Sequence, residues 1–285
     1  MTKIKLVTSE IKRIYDILSN HQHPILLIIS RFLMKTGISK FIIIKRSNFN
    51  LRFYPSSLSA TLWIDPSFGK EDEMFYLKYL KTGDHVVDVG ANIGSLTLLA
   101  STIVGETGII YAIEAHPRIF SYLQENIFLN DKTNIISFNY AIGDKNGEVI
   151  LSDLKGDDKN SISSDNKGIL VRMKRLDDLP LKWNISLLKI DVEGYELFVF
   201  RGAENILEHT ACIYFESWDK HFSKYNYTCN DVFAFLNKKG FHIFKIMDND
   251  LIRIDKDYVS TRCENLIAAK DINSFLQRTG IKLKK

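Results

Sequence analysis

The stretch that decides the fold is His85-Val86-Val87-Asp88-Val89-Gly90-Ala91-Asn92-Ile93-Gly94-Ser95. An apolar strand ends in an acid, a glycine-bearing turn follows, and the apolar run 96–103 begins at once. Doubly wound α/β domains open their nucleotide site in this way, at the carboxyl end of the first strand. A dinucleotide fingerprint reads Gly-x-Gly-x-x-Gly, which lets backbone approach a pyrophosphate. Here Asn92 stands at the middle glycine and the next glycine, Gly94, comes two residues later. Acid-x-Gly-x-Asn-x-Gly suits S-adenosylmethionine, which carries no phosphate.

Downstream the pattern alternates. Strands are expected at 109–113, 134–139, 186–190 and 211–215, with helices at 94–103, 117–129 and 194–206. Helix 229–238, strand 241–246 and a last strand 266–269 complete the series, the final two strands fitting an antiparallel edge. Strands separated by helices predict a mainly parallel sheet with helices on both faces. Two further β-rich runs, 147–151 and 169–174, flank the polar residues 152–168, which read either as a surface loop or as a lid over a site.

Upstream, residues 71–81 predict a helix stopped by Thr82-Gly83-Asp84. Runs 41–45 and 51–54 around Ser47-Asn48 predict a hairpin. Residues 4–18 place Ile4, Val7, Ile11, Ile14 and Leu18 at helical spacing, for packing on the chain's own domain, for a membrane surface or for dimerisation. The apolar segment 24–34 contains Arg31 and falls short of the ~20 residues a bilayer span needs. It predicts a buried or interfacial helix, with no transmembrane span and peripheral membrane contact left open. The expected organisation is an N-terminal helix and hairpin extension over 1–68, then one α/β domain over 69–285.

A formal net charge of +4 is slight for 285 residues and gives no reason to expect a nucleic-acid partner. The three cysteines, Cys212, Cys229 and Cys263, make neither a zinc pattern nor a disulfide framework, which suits a reducing compartment. Lys3, Lys5 and Glu10 precede any apolar run, so the start does not read as a signal peptide, and the expected location is cytoplasmic.

The chemistry gathers at the strand ends. Glu114 closes the second strand about 20 residues beyond Gly94, where a carboxylate accepts from both hydroxyls of an adenosine ribose. It also reads as a favourable charge before the helix opening at Pro117. Ala141 and Ile142 follow the third strand and suit a wall against the adenine, although a plain strand exit explains them too. The fourth strand ends in Lys189-Ile190-Asp191-Val192-Glu193-Gly194-Tyr195-Glu196. Charges crowded at the carboxyl end of a central strand cost free energy unless paired or bound. Asp191 and Glu193 are therefore candidate functional acids, with helix capping as the plainer reading. Glu216 ends the fifth strand on the same rim, and His221 beyond it is either a general base or a solvated loop residue.

In series, Asp88-Val-Gly-Ala-Asn-Ile-Gly94, Glu114-Ala-His-Pro117, Ala141-Ile-Gly-Asp144, Leu176-Asp-Asp-Leu179, Lys189-Ile-Asp-Val-Glu-Gly-Tyr-Glu196 and Phe215-Glu-Ser217 resemble the FkbM-type family of S-adenosylmethionine-dependent methyltransferases over about residues 69–270. The resemblance implies a seven-stranded Rossmann-like sheet and methyl transfer to a hydroxyl of a sugar, glycolipid or similar small polyhydroxylated acceptor. It implies Asp88, Gly90, Asn92 and Gly94 at the cofactor's methionine end and Glu114 on its ribose. Asp191, Glu193 and Glu216 would face the acceptor, with His221 as base. A divalent ion between Asp191 and Glu216 is a variant without a firm ligand set. Glu71 or Glu73 resembles an acid often found before this domain. Two rivals share the fold: a nicotinamide-dependent oxidoreductase or epimerase, against which Asn92 argues, and a non-catalytic binding module, against which Asp191 and Glu193 argue.

Overall fold

The computed structural model describes residues 22–153, 160–163, 167–255 and 257–284. The expected helix at 4–18 and the greater part of the polar loop 152–168 lie outside them. The chain divides into two units, one comprising residues up to Arg46 with Asn50–Phe68, the other Ser47–Phe49 with Gly69–Lys285.

In the first unit, helix α1 (Pro24–Thr36) starts at a proline, whose missing N–H costs nothing there, and stops at Gly37 in the left-handed conformation. Strands β1 (Ile43–Lys45) and β2 (Asn50–Arg52) form the expected antiparallel hairpin, Ile44 opposite Leu51. Helix α2 (Ser57–Ile64) was not anticipated. Its signal was present in Ser56, whose hydroxyl accepts from the Ser59 N–H at 3.1 Å as an N-cap.

The second unit opens with α3 (Lys70–Tyr79) and is built on the strands β3 (His85–Val89), β4 (Ile109–Ile113), β5 (Ile135–Phe138), β9 (Ile185–Ile190) and β10 (Thr210–Ser217), with β11 (His242–Met247) and β13 (Glu264–Ala269). Their order across the sheet is β5-β4-β3-β9-β10-β13-β11, parallel as far as β10, with β13 antiparallel to both its neighbours. Among the described residues the expected count of seven is extended to nine. β12 (Asp250–Arg253) folds back on β11, and β14 (Lys282–Lys284) adds to β12 in parallel. A separate three-stranded sheet joins β6 (Ala141–Ile142), β8 (Ile169–Lys174) and β7 (Gly147–Leu151), in that order.

Alternation along each strand builds two cores. Val87, Val89, Ile113, Leu188, Ile190 and Phe215 face the layer of α6 (Glu196–Arg201), α7 (Glu204–Glu208) and α9 (Cys229–Lys238), through residues such as Phe200, Leu207 and Val232. On the other face, Ala112 packs with Leu123 of α5 (Pro117–Leu129), while the Phe75 ring of α3 stacks on Tyr214 at 4.5 Å. The helix α4 (Ser95–Val104) follows β3, with Leu98 and Ala100 fully buried. The expected helix 194–206 is broken in two at Gly202, where a Cβ would lie 1.9 Å from the Gly143 carbonyl oxygen. Backbone meets backbone there, a constraint that hydrophobic periodicity does not carry. The short helix α8 (Asp219–Phe222) and the terminal α10 (Ile272–Thr279) were also unanticipated, though Asp271, capping Ser274 N–H at 3.0 Å, and Gly280 mark both ends of α10.

Candidate active site

Asp88, Glu114, Asp191, Glu193 and Glu216 lie along the carboxyl ends of β3, β4, β9 and β10, whereas Glu71 and Glu73 sit in the first turn of α3, and the first turn after β3 shows how the rim acids are tied. Gly90, Asn92 and Gly94 all have positive φ, +82°, +50° and +92°. At Gly90 the requirement is spatial as well, since a Cβ would lie 1.8 Å from the Asp191 carbonyl oxygen. The β3 turn and the β9 exit therefore pass backbone against backbone, which only glycine permits.

Lys189 fastens the same two segments from below. It sits opposite Asp88 in the β3–β9 register, buried, with its Nζ 3.1 Å from Asp88 Oδ1 and 3.6 Å from Asp191 Oδ2. The ammonium also donates to the Gly90 carbonyl at 2.7 Å. Burial alone would favour the neutral amine, but Asp88 and Asp191 outweigh it and hold Lys189 charged. Asp88 completes its set by accepting from Thr97 Oγ1 at 2.6 Å. Asp88, expected at the methionine end of the cofactor, is thus a buried brace beneath the turn. Lys189 and Thr97 were absent from the candidate residues; the signal for Lys189 was a lone cation in an apolar central strand.

Glu114 takes the second turn. Its two oxygens accept from the backbone N–H groups of Asn92 at 2.9 Å and His116 at 2.8 Å. Burial pushes its carboxyl up to about 7, against the pull of those two N–H donors and of Lys189. Each oxygen keeps a lone pair for a hydroxyl. Ala141 and Ile142 are buried, Ala141 packed with Val171 and Met173 of the small sheet and Ile142 within the main core.

The acid motif after β9 splits by role. Glu196 is fully buried and accepts from the Val192 N–H at 3.1 Å and the Gly194 N–H at 3.3 Å, while Tyr227 donates to the Gly194 carbonyl at 2.6 Å. These bonds shape the loop that presents Asp191 and Glu193. Burial, with Glu216 nearby, raises Glu196 to about 8. Asp191 is 41% exposed at its side chain. The dense surroundings beneath it, with Glu216 and Asp88, push it up to about 6 against Lys189, a push that water at its exposed edge tempers.

Glu193, in the left-handed region at φ +57°, converges with Glu216 on one atom, His221 Nδ1, at 3.3 Å from each. Gly194 makes this approach possible, because a Cβ there would lie 2.7 Å from the His221 carbonyl oxygen. Burial and then Glu216 push Glu193 up to about 9. Glu216 moves the other way: despite its burial, hydrogen bonds from His221 and from the Cys263 thiol, at 2.8 Å, hold it below the usual carboxylate range. At neutral pH the cluster thus holds one ionised carboxylate, one protonated carboxyl and the imidazole between them. Among the described residues, Glu193, Glu216 and His221 are also a group whose ligand atoms lie within 4.8 Å of one another. This differs from the Asp191–Glu216 pair expected for a divalent ion.

Fold and site together define a doubly wound α/β enzyme with a nucleoside-cofactor turn beside an acid-lined rim. Residues 88–243 match the family described as the methyltransferase FkbM domain, and the chain belongs to that family: it is a methyltransferase that uses S-adenosylmethionine. The turn fits that donor, since Gly90 and Gly94 leave the backbone without side chains at the β3 rim and both Glu114 oxygens are acceptors of the kind a diol can meet. The chain is 26% identical over 184 residues to the hexuronic acid methyltransferase AglP of Haloferax volcanii, covering 61% of this chain and 74% of that one. It is 30% identical over 95 residues to a fibrillarin-like rRNA/tRNA 2'-O-methyltransferase of Pyrobaculum aerophilum, covering 30% of this chain and 40% of that one. A solved S-adenosylmethionine-dependent methyltransferase from Aquifex aeolicus aligns with a TM-score of 0.44 at 18% identity, over 73% of this chain and 94% of that one.

Proposed function

We propose that the protein is an O-methyltransferase acting on a hydroxyl of a sugar, glycolipid or similar small polyhydroxylated acceptor. The observation that carries this reading is the rim of Asp191, Glu193, Glu216 and His221 beside the cofactor turn. Glu193 and Glu216 on one imidazole, with Asp191 on the same rim, suit a hydroxyl acceptor whose proton must leave. The hexuronic acid methyltransferase relative supports a sugar and leaves open which oxygen is methylated.

The donor, when bound, supplies an electrophilic methyl group held on a sulfonium. The chain's residues supply position and a base. Glu114 would accept from the ribose hydroxyls, and the Gly90–Gly94 backbone would hold the methionine end. Asp191, the most open of the acids, accepts from an acceptor hydroxyl and orients it for in-line attack. Glu216 accepts the Nδ1–H of His221 and fixes the tautomer with Nε2 as the base, an arrangement of the kind seen in carboxylate–histidine pairs elsewhere. Glu193, protonated at neutral pH, adds no second negative charge to that pair.

The test is incubation with methyl-labelled donor and parallel panels of neutral sugars, uronic acids and nucleosides, with each product treated with mild alkali. An alkali-stable methyl ether on a sugar hydroxyl is expected. An alkali-labile ester on a uronate carboxylate, or methyl transfer to nucleosides alone, would refute the hydroxyl reading while leaving the family assignment intact.

A further inference from the structure

The first unit carries a surface that methyl transfer does not explain. Between residues 17 and 64 the sequence contains no Asp or Glu, yet it holds Arg31, Lys35, Lys40, Lys45, Arg46 and Arg52. This one segment exceeds the net charge of +4 of the whole chain. In the same segment large apolar side chains stand in solvent: Ile25 is 67% exposed, Phe32 60% and Phe41 74%, with Ile29, Ile38 and Ile43 also exposed.

Those on α1 form a stripe, and the exposed residues continue along the chain into β1. On α1, Ile25, Ile29 and Phe32 recur at spacings of four and three, so they form one stripe. Arg31 and Lys35 flank that stripe on the same exposed side, while Ser30 on the opposite side is fully buried. The chain continues through Ile38, Lys40 and Phe41 into β1, where Ile43 and Lys45 are exposed and Ile44 between them is buried. Lys40 Nζ lies 5.2 Å from the Phe41 ring centroid, a cation over an aromatic face. At 13 residues α1 is about 20 Å long, too short to cross a bilayer, and no described helix is long and apolar enough to do so.

We infer that α1 and the turn leading into β1 dock on an anionic bilayer surface, the apolar stripe entering the headgroup boundary and the lysines meeting lipid phosphates. Charge complementarity selects this occupant. A second copy of the same face would set like charges against like, and a nucleic acid would leave the isoleucines and phenylalanines without a partner.

The experiment is flotation of the full chain with vesicles of phosphatidylcholine alone or with about 30 mol% phosphatidylglycerol, beside light scattering of the lipid-free protein. Flotation with anionic vesicles only, reduced by salt, is expected. Ile25→Gln with Phe32→Gln should weaken partitioning on the order of 100-fold, and Lys35→Glu with Lys40→Glu on the order of 25-fold or more. Because all four side chains are exposed, both double variants should keep wild-type calorimetric affinity for S-adenosylhomocysteine, which serves as the check on folding. Several results would overturn the inference: equal flotation with neutral vesicles, none with either, variants that float like the wild type, a lipid-free dimer that the apolar variant dissociates, or retention by RNA in place of vesicles.

Discussion

Replacing Glu114 by Gln separates two effects that the wild-type carboxylate combines. Its oxygens accept from the N–H groups of Asn92 and His116, and an amide can present an oxygen to only one of them. The other N–H then faces an NH₂, a buried mismatch that costs ~1–3 kcal/mol. Against this stands the cost of ionisation. With the carboxyl raised from its ordinary 4.5 to about 7, ionising it inside the fold costs ~3 kcal/mol more than in the unfolded chain, at about 1.4 kcal/mol per decade. The folded pKa is the higher one, so this contribution favours the fold fully below pH 4.5 and is lost as pH rises through about 7. The glutamine has no such dependence. Glu114→Gln should therefore be clearly less stable than wild type near pH 5 and should approach or match it near pH 8, by denaturant unfolding at each pH. Cofactor affinity should run the other way, because the diol is held by the ionised form: wild-type affinity for S-adenosylhomocysteine should weaken ~10-fold from pH 8 to pH 6. In the variant it should be flat in pH and about 100-fold weaker at pH 8. Equal affinity in the two proteins, or a stability difference independent of pH, would refute both the ribose role and the buried ionisation.

Gly90→Ala would put a Cβ against the Asp191 carbonyl oxygen at positive φ, and is expected to cost about 2–4 kcal/mol by thermal or denaturant unfolding. Tyr76→Phe should leave stability unchanged or raise it by up to ~1–3 kcal/mol, because the Tyr76 hydroxyl is wholly buried without a hydrogen-bond partner; a clear loss would reveal a partner for it. Activity should survive EDTA, because His221 Nδ1 already hydrogen-bonds Glu216, and Glu193, 3.3 Å from the same nitrogen, is pushed towards its neutral form, so no cation is needed to hold two carboxylates together. Loss of activity with EDTA and its return with a divalent ion would give the cluster to a metal.

The sheet and the rim were legible because they follow from local pattern. An apolar strand, an acid, a glycine turn and a helix recur at β3, and the chain's alternation of strand and helix leaves few topologies. The edge beyond β11 was less so: β12 and β14 are four and three residues long, below what alternation can mark. The site acids were readable as a set, but their division of labour was not. Asp88 and Asp191 both read as polar strand ends, yet the first is braced by Lys189 and Thr97 beneath the turn and the second opens to solvent. Which acid is buried depends on strand register and on loop bonds such as those to Glu196, which bring together residues of separate elements. Gly202 and Gly194 show the same limit, since each is required by a carbonyl far away in sequence.

Transfer of one methyl group to a hydroxyl oxygen at the Asp191 rim is open to direct measurement. Its most direct test gives purified protein, methyl-labelled S-adenosylmethionine and a polar cell extract to mass spectrometry, beside Asp191→Asn shown by calorimetry to bind the cofactor. A compound should gain one labelled methyl ether with the wild type and none with Asp191→Asn. Methylation on nitrogen or a carboxylate, or equal turnover by the variant, would contradict it.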